Sequence, residues 1–152
     1  MTKVLMVVSA ADHWTLKDGT HHPTGFWAEE LVTPYSIFTG SGWDIDVATP
    51  GGIAPTVDNA SLDESAGDAE TLEAVKAKLE ELQPVLAEPL NLDDVEAADY
   101  DLVFYPGGHG PMEDLAVNEV SGRILVDRMA DNAPVALLCL SLIHISDGAR
   151  EA

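Results

Sequence analysis

A chain of 152 residues with 46% hydrophobic side chains can bury one sizeable core, which excludes a disordered or low-complexity protein. Its 27 acidic against 7 basic residues, a formal net charge of −20, argue against nucleic acid or an anionic membrane as partner, because phosphates are held by clustered Lys and Arg. One cysteine cannot form an intramolecular disulfide, no apolar run is long enough to span a bilayer, and Met1-Thr2-Lys3 leads into an apolar run without a signal peptide, so a cytoplasmic protein is expected. The acids are dispersed, as at Asp44/Asp46, Asp93/Asp94, Asp99/Asp101 and Asp127/Asp131, which describes a solvated surface and not an acidic tail. Such a surface fits either a host living at high salt, where screening removes the self-repulsion, or an ordinary acidic bacterial protein; thermal stability that rises strongly from low to molar salt would mark the first.

In chain order, residues 3–9 (KVLMVVS) predict a buried strand, and residues 10–23 a polar loop carrying His13, His21 and His22. Residues 25–39 place Phe26/Trp27, Leu31, Pro34/Tyr35 and Phe38 at helical spacing, and Gly40-Ser41-Gly42 ends that helix. Residues 44–49 alternate as a strand, and residues 50–66 form a loop rich in Gly, Pro, Asn and Asp. Leu72, Val75, Leu79 and Leu82 make one stripe of a helix over 70–83, and an irregular link is expected after Pro84. Residues 102–105 predict a third strand, 117–130 a helix, and 134–139 (PVALLC) a fourth, core strand. Alternating strands and helices give an α/β fold: a flavodoxin-like, doubly wound parallel sheet. A sheet that stops on its fourth strand leaves that strand uncovered, so the domain is expected to be incomplete at its C-terminal side.

Three features fall on the carboxyl side of this sheet, where open α/β folds bind ligands. Cys139 closes the fourth strand; alone, such a cysteine is most often a small buried hydrophobe. A nucleophile there needs a sharp turn into a helix, and the residues that follow offer no small side chain for one. Glu30 sits on the apolar face of the first helix while Glu29 is turned away; burial would raise its pKa toward that of a useful acid/base, and the alternative is an ordinary surface glutamate. Pro106-Gly107-Gly108-His109-Gly110 follows a strand, and its amides suit an oxyanion hole, although any tight turn could use the glycines. His13, His21 and His22 match no common ligand spacing, so no metal is expected.

Together, residues 135–139 ending in Cys139, Tyr105-Pro106-Gly107-Gly108-His109-Gly110, and Thr24-Gly25 ahead of Glu30 resemble the DJ-1/PfpI superfamily, with its class I glutamine-amidotransferase-like fold. Order and spacing are similar to its branch of heat-shock-type chaperones and glutathione-independent glyoxalases. The resemblance covers residues 1–139. It implies Cys139 as nucleophile, Glu30 as the acid/base that holds the thiolate, Gly108 as an oxyanion-hole amide, and Gly107 and His109 in the active-site loop. The implied reaction is a lyase-type conversion of methylglyoxal to lactate, or deglycation, by a homodimer without a cofactor. A non-enzymatic holdase or regulatory module on the same fold is the competing reading.

The family follows its cysteine with a histidine and a small residue; Leu140 and Ser141 stand here. Residues 140–152 back-translate into a sequence resembling the mosaic end of a transposon-based library followed by its sequencing adapter. They are read as a non-native tail on residues 1–139. The 152-residue chain is therefore expected to be inactive, poorly soluble and to carry an ordinary thiol.

Overall fold

The computed structural model describes residues 1–139; the expectation of a non-native tail lies outside them. The apolar run near the N-terminus forms β1 (Lys3–Val7), and Val4 to Val8 are fully excluded from solvent. Burial on both sides identifies the centre of a parallel sheet. Around it lie β4 (Asp44–Thr49) on one side and β6 (Leu102–Tyr105) on the other, with β5 (Leu90–Asn91) beyond β4 and β7 (Val135–Leu137) beyond β6. All these pairings are parallel, in registers such as Val4 with Ile45, Val4 with Leu102, and Phe104 with Ala136. Setting aside the two-residue β5, the strand order is that of a flavodoxin-like doubly wound sheet.

The side-chain period of two sends Val4 and Met6 to one face and Leu5 and Val7 to the other. The first face packs on α1 (Ala28–Gly40) and α2 (Ala69–Ala87) through Leu31, Val32, Val75 and Leu79. The second packs on α4 (Glu119–Ala130) and the segment before β6 through Ile124, Leu92 and Tyr100. Chain connections diverge between β1 and β6, and the crevice at their carboxyl ends is the switch point.

Four expectations are corrected. The helix over 70–83 does not stop at Pro84: α2 runs to Ala87, because buried Leu86 extends the apolar stripe by one more turn. The polar loop 10–23 contains a hairpin, β2 (His13–Thr15) paired antiparallel with β3 (His21–Pro23). Asp18-Gly19, with Gly19 at φ 84°, supplies the turn. The short strand β5 lies in what was expected to be irregular chain. The fourth strand is shorter than 134–139, ending at Leu137, and among the described residues it is a half-buried edge strand and not a core one.

α3 (Gly110–Glu113) follows the glycine-rich turn after β6. Buried Arg128 of α4 ties the entrances of β6 and β7, donating to the carbonyls of Ala97, Tyr100, Asp101 and Pro134.

Candidate active site

The start of α1 is fixed by backbone contacts before any side chain acts. Phe26 N–H donates to Thr56 O at 2.9 Å, Trp27 N–H to Gly107 O at 2.9 Å, and Ala28 N–H to Ser61 Oγ at 3.0 Å. Gly25 packs against the Thr56 backbone with no room for a Cβ. This close approach brings the first turn of α1 onto the glycine turn that follows β6, and Glu30 lands beside Gly107.

Glu30 Oε2 accepts the Gly107 N–H at 2.8 Å, and the Cys139 side chain closes on the Cα of the same glycine. A Cβ on Gly107 would collide with Glu30, with Cys139 and, at 2.5 Å, with Leu138 O, so only glycine allows the three groups to meet. Burial raises the Glu30 pKa above its ordinary value, while the Gly107 amide and the Cys139 thiol pull it back. The carboxyl is thus half-buried, oriented and shifted toward the range of a proton carrier.

Cys139 lies two residues past β7, with φ 90°. A non-glycine residue there stores strain on the order of 1–3 kcal/mol. Gly108 is at φ 117°, held by Gly110 N–H donating to Gly25 O at 3.1 Å, and among the described residues nothing accepts its own N–H. The Gly107 amide is committed to Glu30, so of the two glycines Gly108 is the one free to bind an oxyanion.

His109, expected in the active-site loop, caps α3 with an exposed ring packed among hairpin residues, 5.8 Å from Trp14 and 6.4 Å from His22. His13 stacks on His21 at 4.1 Å and reaches Asp12 at 2.7 Å and Glu113 at 3.5 Å. Among the described residues no group of three or more His, Cys, Asp or Glu is arranged to hold a metal.

Sequence reasoning missed two parts of the site. Asp114 accepts from Ser9 Oγ at 2.9 Å and from Ala10 N–H at 2.7 Å, anchoring the loop after β1, and burial raises its pKa. Trp27 was read only as part of an apolar helix face. It lines both a cleft of about 280 Å3 with Glu29, Glu30 and Leu138, and a cavity of about 420 Å3 with Asp12, His22, Thr24, Asp58 and His109. Asp18-Gly19 could have revealed the hairpin that carries His22; nothing local marks Asp114 as buried.

A parallel sheet with a cysteine, a half-buried glutamate and a glycine turn at its carboxyl edge defines a class of α/β thiol proteins. Residues 22–132 match the family described as ThiJ/PfpI family-like, and the chain belongs to it, within the DJ-1/PfpI superfamily. It is 29% identical over 143 residues to the protein/nucleic acid deglycase HchA of Staphylococcus aureus (strain bovine RF122 / ET3-1), covering 90% of this chain and 47% of that one. The chain spans about half the length of the curated relatives it matches. Rapid Encystment Protein 24 KDa of Francisella tularensis superposes with a TM-score of 0.76 at 24% identity, over 99% of this chain and 64% of that one. Glyoxalase III of Candida albicans superposes with a TM-score of 0.73 at 23% identity, over 95% of this chain and 59% of that one. These two likenesses concern the fold.

Among the described residues no helix is long and apolar enough to cross a membrane.

Proposed function

We propose that residues 1–139 carry the nucleophile and the proton carrier of a cysteine-dependent, glutathione-independent glyoxalase or deglycase. The observation that carries this reading is the carboxylate of Glu30, held by the Gly107 amide beside the Cys139 side chain. The Staphylococcus relative named as a deglycase supports the reaction class.

The Cys139 thiolate attacks the aldehyde carbon of methylglyoxal, forming a C–S bond, and the carbonyl oxygen takes up a proton to give a hemithioacetal. The Gly108 N–H stabilises the oxyanion on the way. Glu30 removes the hydrogen on that carbon as a proton and returns it to the neighbouring carbon through an enediol, leaving a lactate thioester. Water cleaves the thioester, releasing lactate and the thiol, so the net change is addition of one water. The chemistry needs a reduced thiol, which suits a cytoplasmic setting.

The first step is the one to test. Methylglyoxal should add to Cys139, seen by intact-mass spectrometry, and the adduct should vanish in Cys139→Ala. The 152-residue chain should release no lactate, since Leu140 stands where the family has histidine. In the version encoded at the genomic locus, Cys139→Ala and Glu30→Gln should each abolish turnover; normal turnover in either defeats the assignment.

A second reading, a holdase, is favoured by the exposed apolar groove beside β7, where Val126 and Met129 are 67% and 68% exposed. Under it, suppression of client aggregation would survive Cys139→Ala.

A further inference from the structure

The hairpin β2–β3 is built unlike the rest of the molecule. From Asp12 to Pro23 no residue is buried, so none belongs to either core. A segment with so few buried apolar contacts falls at the least stable end of a fold. Both of its feet are nonetheless fixed. On one side Ala10 N–H donates to Asp114 Oδ2 at 2.7 Å, and Ala11 N–H to Ser9 Oγ at 3.1 Å. On the other, buried Thr24 donates its hydroxyl to Asp58 Oδ2 at 2.7 Å and its N–H to Asp12 O at 3.0 Å. The blade between the feet is tied to itself. Leu16 N–H donates to Thr20 O at 2.8 Å, Thr20 N–H to Asp18 Oδ1 at 2.9 Å, and His13 stacks on His21 from the opposite strand.

The blade meets the body differently. Among the described residues, its hydrogen bonds to the body all end on one carboxylate, that of Glu113 in α3. Glu113 Oε2 accepts the Thr15 N–H at 2.7 Å, and Oε1 accepts the Thr15 hydroxyl at 2.9 Å, with His13 Nε2 3.5 Å from the same oxygen. These donors hold the Glu113 carboxyl below its ordinary range, so the contact is charged at neutral pH. The closed blade also brings His22 and Pro23 over the hollow of about 420 Å3, facing Trp27, Asn59 and His109.

We infer that the hairpin is a hinged flap, which swings as a unit about Ala11–Asp12 and Pro23–Thr24 when Glu113 lets go and so governs entry to the hollow at Trp27. Hinged motions need a few positions at the ends of an element to absorb the rotation while both sides stay intact. Asp114 and Asp58 fix the line of the hinge, and Glu113 is the catch. A charge-assisted catch is strong when made, yet it lies where water can replace it. The inference concerns access to the hollow and stands apart from the chemistry proposed for Cys139.

The flap can be read by acrylamide quenching of Trp27 fluorescence, in a Trp14→Phe/Trp43→Phe background that leaves one indole and keeps a ring against His109. Glu113→Ala should raise the quenching constant severalfold, because losing a hydrogen bond to a charged group shifts an equilibrium by about tenfold or more. Glu113→Gln, which keeps one acceptor, should give a smaller rise in the same direction and serves if the alanine variant fails to fold. Asp68→Ala removes the cap that accepts Thr71 N–H on α2, far from the catch, and should leave Trp27 quenching unchanged. Hydrogen exchange of the Leu16 amide, followed by NMR, reports on the blade itself. It should stay at the parent rate in the Glu113 variants, because that bond lies within the hairpin. Unchanged Trp27 quenching in both Glu113 variants overturns the flap. So does Leu16 exchange that quickens in step with the quenching, which would mean that the hairpin unravels, or a rise of equal size in Asp68→Ala. Failure of methylglyoxal to add to Cys139 moves none of these readings and counts against the enzyme reading alone.

Discussion

At the scale of single residues, Glu30 is held by opposing forces. Burial disfavours its charge, while the Gly107 amide and the neighbouring Cys139 thiol favour it, with burial the larger effect. A carboxyl whose pKa is raised by folding binds more protons in the native than in the unfolded state above its ordinary value of 4.5. Its contribution therefore favours the fold at low pH and weakens it as pH rises through the native pKa. Glu30→Gln removes that loss, while the amide oxygen can still accept the Gly107 N–H. The variant should match the parent in stability below about pH 4.5 and exceed it at pH 7 and above, as measured by urea melts across pH. Under the proposed function, its turnover should fall by about 100-fold or more, the usual worth of a positioned proton carrier. A gain in activity, or a loss of stability confined to high pH, would remove Glu30 from this role.

Among the elements, α4 matters beyond its length because it joins the sheet to the edge that carries Cys139. Asn118 caps it, accepting the Ser121 N–H at 2.8 Å, and Ser121 in turn lies 3.1 Å from the buried Tyr105 hydroxyl. Burial pushes the Tyr105 hydroxyl up to about 12, so it remains a neutral donor or acceptor throughout the physiological range. Asn118→Ala should cost about 1 kcal/mol in denaturant melts, as for other caps. Asn118→Asp, which keeps the acceptor at a helix N-terminus, should restore it. Pro84 makes the complementary point for α2: the missing N–H is tolerated in the last turn, where Leu86 still finds the core.

For the whole molecule, the two sides of the sheet are unequal. The β5 edge is short and lies beside the segment 50–52, whereas α4 and β7 present Leu125, Val126, Met129, Val135 and Leu137 around a groove of about 450 Å3, with buried Leu115 at its floor. An exposed apolar groove next to an edge strand binds hydrophobic dyes and invites self-association. Val126→Lys with Met129→Glu should markedly lower 8-anilinonaphthalene-1-sulfonate fluorescence and the tendency to aggregate. Because both side chains are already mostly exposed, the melting temperature should move little. Unchanged dye binding would place the exposed apolar surface elsewhere.

The sequence by itself determined what rests on local periodicity and on residue type. The apolar run of β1, the Leu72/Val75/Leu79/Leu82 stripe of α2, the alternation of β4 and the glycine turn at 107–108 could be read directly, because strand and helix repeats are properties of neighbours in the chain. The offset between Glu29 and Glu30 was legible for the same reason: one residue turns a helix by about 100°. Only tertiary structure decided that the Gly107 amide belongs to Glu30, 77 residues away, leaving that of Gly108 without an acceptor among the described residues. It also decided that Cys139 takes a positive φ, that β7 is a half-exposed edge among the described residues, and that Trp27 joins two acid-lined hollows. Such outcomes depend on which distant backbones approach closely enough to exclude a side chain or water, and no local repeat encodes that distance.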